Sequence, residues 1–186
     1  MQPKTLIRLN WPTALWMAFM AAASVAVSLG FACAAPLVAF GAVSGLTLSR
    51  RNAVLATLGA WLANQATGCT ALGYPLTANS LAWGAVLGLA AMLAMFAARW
   101  SGKRVLGHSS AAASVAAFAA AFAIYEAVLF AAAVTFLGGV EEFTIAIIGR
   151  VLEINAIAML ALLLLNRAAA LIGNSKGSMA YALRRA

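Results

Sequence analysis

Of the 186 residues, 65% are hydrophobic and only 9% are charged, and the mean hydropathy is +0.98. A soluble domain of this length carries roughly a quarter charged residues, so the composition excludes that class and specifies an integral membrane protein. The net charge of +8 does not indicate a nucleic-acid partner, because the cations stand in short clusters between apolar runs and form no basic face.

A helix needs about 20 residues to cross the hydrocarbon core. On that length the chain reads as one all-α domain of six transmembrane helices, at roughly 11–31, 36–49, 53–69, 81–98, 110–137 and 143–166. The first run is long and no separate mature domain follows it, which argues against a cleavable signal peptide. Along it Ala14, Ala18, Ala22, Ala26 and Gly30 recur at every fourth position. Such a ladder of small residues lets a second helix approach closely, either inside the bundle or as a docking face for another membrane subunit. The second run is short, and either begins in the preceding Ala-rich turn or spans incompletely. The fifth is long enough to tilt. There is no convincing internal repeat.

The third run ends in Ala63-Asn64-Gln65-Ala66-Thr67-Gly68-Cys69-Thr70, followed by Gly73-Tyr74-Pro75. No other part of the apolar body holds as many polar and helix-breaking residues. In lipid such groups are costly unless protein or a water-filled cavity receives them, so this stretch is the first candidate for a site.

Charge distribution orients the chain. Lys4 and Arg8 precede the first span, Arg50 and Arg51 follow the second, Arg99, Lys103 and Arg104 the fourth, and Arg167, Lys176, Arg184 and Arg185 the sixth. Of the 12 cations only Arg150 falls elsewhere. By the positive-inside rule both termini are cytoplasmic, and the special stretch lies toward the outside. Arg150, Glu153 and Glu126 then belong to the outer half. Arg150 either pairs with Glu153 one turn on or with Glu126 across the bundle, or it contacts a ligand. Asn64, Gln65 and Asn155, each taken alone, read as interhelical hydrogen-bond glue.

No GxGxxG, Walker A, HExxH or CxxC pattern occurs, so nucleotide, zincin and thioredoxin-like chemistry lack support. His108 is expected at the cytoplasmic face, about a membrane thickness from Cys69, and without a nearby base Cys69 does not read as a hydrolase nucleophile. Cys33, in the first outer loop, reads as a small packing residue, although a disulfide with Cys69 is geometrically open. Cys69 itself is either a buried small hydrophobe or a soft thiolate ligand. A lone cysteine is a poor site for a bare ion, but a good axial ligand for a metal whose other positions a macrocycle fills.

Six short Ala-rich helices, cytoplasmic ends, the ladder on the first helix and an outward site resemble the S components of energy-coupling factor (ECF) transporters. Asn64-Gln65-Ala66-Thr67-Gly68-Cys69, with Tyr74-Pro75 and Trp83-Gly84, is similar to the BtuM-like cobalamin-binding subfamily of Gram-negative bacteria. The resemblance implies an S-component-like bundle in the bacterial inner membrane that takes up cobalamin from the periplasm. Cys69 would be the axial ligand to its cobalt and would assist removal of cyanide from cyanocobalamin. Asn64, Gln65, Gly68, Tyr74, Arg150 and Glu153 are the expected ligand contacts. Ala14, Ala18, Ala22 and Ala26 are the expected docking face for an ECF coupling subunit and its ATPases, although members of this subfamily often work alone. The expected partners are thus cobalamin, lipid and, where one is used, that module, with no nucleic acid, bare metal ion or nucleotide site. An S component for another vitamin, or a small secondary transporter or channel using Arg150, Glu126 and Glu153, is the alternative.

Overall fold

The computed structural model describes residues 11–31, 35–104 and 110–183. Lys4, Arg8, Cys33, His108, Arg184 and Arg185 lie outside the described residues. All regular structure among the described residues is helical: α1 (Trp11–Phe31), α2 (Leu37–Thr47), α3 (Arg50–Thr70), α4 (Ala78–Arg104), α5 (Ser110–Ala132) and α6 (Ile145–Leu183). A π-helical turn, Ala133–Leu137, extends α5, and a short 3-10 turn, Val140–Glu142, precedes α6. Among the described residues three stretches are long and apolar enough to cross a membrane: Ala78–Arg104, Ala111–Leu137 and Ile145–Ala168. The chain is an all-helical, membrane-embedded protein.

Local chemistry sets the helix ends. Ser49 caps α3 through its hydroxyl, which accepts from the Asn52 amide at 3.4 Å, so α3 starts three residues before the apolar run does. Thr77 does the same for α4, accepting from the Ser80 amide at 3.2 Å. Gly138 and Gly139, at φ +76° and +87°, end the α5 extension in a conformation that side chains with a Cβ rarely adopt.

The centre of the bundle is α2. Its 11 residues measure about 16 Å, half of a hydrocarbon core. Every residue from Leu37 to Gly45 is buried, and the helix packs on α3, α4, α5 and α6. Two glycines allow this. A Cβ at Gly41 would stand 3.1 Å from the Ala91 carbonyl oxygen, and one at Gly45 only 2.7 Å from that of Met95. A small-xxx-small pair thus brings the backbones of α2 and α4 together.

Both ends of α2 are satisfied from other helices. At the N-terminus the Ala39 amide donates to Oδ1 of Asn155 on α6 at 3.1 Å. At the C-terminus Nη1 of Arg99 on α4 donates to the carbonyls of Gly45 (3.2 Å) and Leu48 (2.8 Å). The cation also meets the negative end of the helix dipole. Asn155 stands ten residues, about 15 Å, from the start of α6, so α2 ends near mid-depth.

The two ends of the bundle differ in kind. At one, Arg50 lies over the Phe96 ring at 5.6 Å and Arg104 over Trp100 at 4.6 Å, beside the Arg99 clamp. At the other, Gly139 approaches Trp83, which brings the α5–α6 connection beside the start of α4. Around α2, α1 packs on α3, tied by Ser24 Oγ donating to the Ala60 carbonyl at 3.0 Å, and α4 packs along α5. The main support of α6 is α2. Grooves flank α6 on both sides, one of about 230 Å³ against α5 and one of about 370 Å³ against α1.

Candidate functional site

The last turns of α3 and the loop into α4 make a compact knot. Trp61, Gln65 and Gly68 recur at helical spacing on the side facing α4. The Trp61 indole nitrogen donates to the Gly84 carbonyl at 2.9 Å, and its ring lies on Gly88. Gln65 lies on Gly84, where a Cβ would stand 2.8 Å from Oε1. The loop folds the Tyr74 ring back onto buried Gly68, where a Cβ would stand 2.7 Å from Cδ2. The Tyr74 amide donates to the Gly68 carbonyl at 3.0 Å, and Gly73 turns the chain at φ +67°. Gly68 is therefore the place where the tyrosine closes the end of the helix.

Thr67 and Thr70 satisfy themselves within the helix, donating to the carbonyls of Ala63 (2.8 Å) and Ala66 (2.7 Å). Asn64 is half-buried and shares a side of α3 with buried Ala53 and Ala60, so it faces the bundle. Cys69 is a free, exposed thiol. It follows Leu62, which is 57% exposed, by seven residues and so shares the side of α3 that faces away from the bundle. The sequence neighbourhood of Cys69 is thus split in space: Asn64 points in, Gln65 and Gly68 point to α4, and the thiol points out.

Arg150 and Glu153 occupy a different seam. Both are exposed on α6 and line the groove against α1 with Val27, Ile154, Ile157 and Ala158. Among the described residues Arg150 makes no ion pair with Glu153 or Glu126, which leaves the ligand contact as the other of its two readings. Glu126 is half-buried on α5, and α3 packs on α1, α2 and α4. Arg150 and Glu153 thus belong to α6 and its groove with Val27 of α1, whereas Asn64, Gln65, Gly68, Tyr74 and Cys69 belong to the end of α3 and the loop after it.

The hydrogen-bond glue expected of Asn155 is present, and it has a specific task, capping α2. Three features escaped the sequence reading: the Gly41–Gly45 contact, the Gly84–Gly88 seats for Gln65 and Trp61, and the Arg99 clamp. The four-residue glycine spacing on α2 and α4 was a visible signal for the first two. On α1, Ala18, Ala22 and Ala26 are exposed and Ala14 is half-buried, while Met20 and Ser24 face the bundle. Among the described residues no group of three or more His, Cys, Asp or Glu is placed to hold a metal ion. No protein-family model, curated protein or solved structure matches the chain.

Proposed function

We propose that the chain is the cobalamin-binding membrane subunit of a vitamin uptake system, with the Cys69 thiolate as axial ligand to the cobalt of its cargo. The observation that carries this reading is the exposed Cys69 thiol at the bundle end opposite the arginines, on the last turn of α3 where the Tyr74 loop folds onto Gly68. Thiolate is a soft donor suited to a transition metal held in a macrocycle, and it acts directly on the electronic state of that metal. A ligand that meets both Cys69 and Asn64 has to straddle the end of α3, or the last turn of α3 has to rewind when it binds. Either is consistent with a large, flat cargo resting on the Tyr74 loop.

In this reading all six helices lie in the bacterial inner membrane, both termini are cytoplasmic, and the Cys69 end faces the periplasm. The clustering of Arg50, Arg51, Arg99, Lys103 and Arg104 at the opposite end supports that orientation. The exposed Ala18, Ala22 and Ala26 suit α1 as a docking face for an ECF coupling subunit, whose ATPases would energise release. Ala18→Leu is then expected to spare cobalamin binding and reduce uptake.

The experiment is to add cyanocobalamin to purified protein and follow its visible spectrum. Wild type is expected to shift the spectrum and lose cyanide. Cys69→Ala and Cys69→Ser are expected to lose the shift while keeping weakened binding, because contacts with a large ligand remain. A Cys69→Ala protein that shifts the spectrum like wild type would refute the ligand role of the thiol. Orientation is tested separately, by labelling single cysteines placed at Asn79, Glu141 and Lys103, all exposed, in a Cys69→Ala/Cys33→Ala background. Reagent in the periplasm should reach the first two and not the third.

A further inference from the structure

The groove between α1 and α6 holds the two charged side chains that the proposed cobalamin site leaves unused. Arg150 and Glu153 stand nearly one turn apart, both exposed, with Val27, Ile154, Ile157 and Ala158 as the apolar wall. Neither makes an ion pair or hydrogen bond among the described residues. The volume, about 370 Å³, lies within the ~300–1,000 Å³ range of small-molecule sites.

Depth narrows the occupant. Arg150 is five residues, about 8 Å, into a membrane-crossing stretch that begins at Ile145. Helical side chains tilt toward the N-terminus, so both charged groups lean toward the nearer membrane surface, within snorkelling reach of the headgroups. Charges at this depth are costly without a partner of opposite sign. The occupant must therefore offer an anion to Arg150 and a cation to Glu153, and lay hydrocarbon against the isoleucines.

The geometry points to one zwitterionic phospholipid with a primary amine, of the phosphatidylethanolamine type, seated in the α1–α6 groove. Its phosphate takes the Arg150 guanidinium, which matches two phosphate oxygens at once. Its ammonium lies down into the groove and donates to the Glu153 carboxylate. An acyl chain runs along Ile154, Ile157 and Val27. Phosphatidylglycerol lacks the cation, and phosphatidylcholine has a quaternary nitrogen with no N–H to donate. Both should bind more weakly.

The test uses the delipidated full chain in detergent, titrated by native mass spectrometry with phosphatidylethanolamine, phosphatidylcholine and phosphatidylglycerol of identical acyl chains. Wild type is expected to retain phosphatidylethanolamine at about tenfold lower concentration than the other two, the scale of one lost charge-assisted hydrogen bond. Arg150→Gln should weaken phosphatidylethanolamine about tenfold. Glu153→Gln should bring it level with phosphatidylcholine. Both positions are exposed and unpartnered, so the variants are expected to fold, and their elution and melting temperature check this. Equal binding of the three lipids to wild type overturns the proposal, as does either variant titrating like wild type. Displacement of phosphatidylethanolamine by millimolar inorganic phosphate would overturn it too, because the site would then recognise phosphate without the lipid.

Discussion

The two halves of the bundle are built on different terms. In the half that holds α2, backbone meets backbone. Gly41 and Gly45 lie on α4, and α2 is capped by Asn155 at one end and Arg99 at the other. In the other half side chains meet glycines instead, with Trp61 on Gly88, Gln65 on Gly84 and Tyr74 on Gly68. A backbone contact cannot give way, whereas a long side chain can swing. The α2 half is therefore the rigid support, and the Tyr74 end is the part able to rearrange around a ligand.

The sharpest break in that contrast is Gly45→Leu. Its Cβ would meet the Met95 carbonyl oxygen at 2.7 Å, a fixed atom, and the leucine has no space beyond it. A loss of about 3 kcal/mol or more is expected, read as loss of the monodisperse folded protein in detergent. Gly59→Ala, with nothing within 4 Å, serves as the opposite case and should be neutral or stabilising by up to about 1 kcal/mol.

Asn155→Ala comes next. It leaves the Ala39 amide without its acceptor in a buried place, at an expected cost of about 1–2 kcal/mol, measured as a drop in melting temperature. If α2 is instead held by packing alone, the melting temperature will stay within error of wild type.

Two glycines of α4 then separate a pinned neighbour from a movable one. Trp61 is held by its hydrogen bond to the Gly84 carbonyl, so Gly88→Ala pushes a ring that cannot yield and should cost about 1–2 kcal/mol. Gly84→Ala meets only the far end of Gln65 and should cost less than about 1 kcal/mol. The reverse order in a thermal melt would mean that the Trp61 bond does not form.

The smallest effect on stability is expected at Cys69. Its thiol is exposed, so Cys69→Ala should stay within about 0.5 kcal/mol of wild type while abolishing the spectral response to cyanocobalamin. A large loss of stability would mean that the cysteine packs in the bundle, and its functional reading would fall with that result.

Much of the helical plan was legible without coordinates, because hydropathy and length alone decide which stretches need lipid or a core. Long apolar helices were expected at 81–98, 110–137 and 143–166, and the membrane-crossing stretches run over Ala78–Arg104, Ala111–Leu137 and Ile145–Ala168. Helix ends were less legible, since they depend on single capping hydroxyls such as Ser49 and Thr77. Composition and spacing also picked out Asn64 to Tyr74 as unusual. They did not reveal that the thiol of Cys69 and the amide of Asn64 face opposite ways, because adjacency in sequence says nothing about facing unless helical phase is tracked. They grouped Arg150 and Glu153 with that stretch by depth, and depth does not determine which helices are neighbours.

By itself, then, the amino-acid sequence determined that this chain is helical, that it belongs in a membrane, and where its unusual polar residues lie. Burial of apolar surface and the need to satisfy backbone groups inside each helix are properties of a segment, and a segment carries them wherever it sits. Only the tertiary structure decided that α2, too short to cross alone, becomes the centre of the bundle, with its amide capped from α6 and its carbonyls from α4. It also decided that Arg150 and Glu153 line a seam with Val27 of α1. Those outcomes depend on which glycines let backbones touch, and that is a property of pairs of helices, fixed when the chain packs.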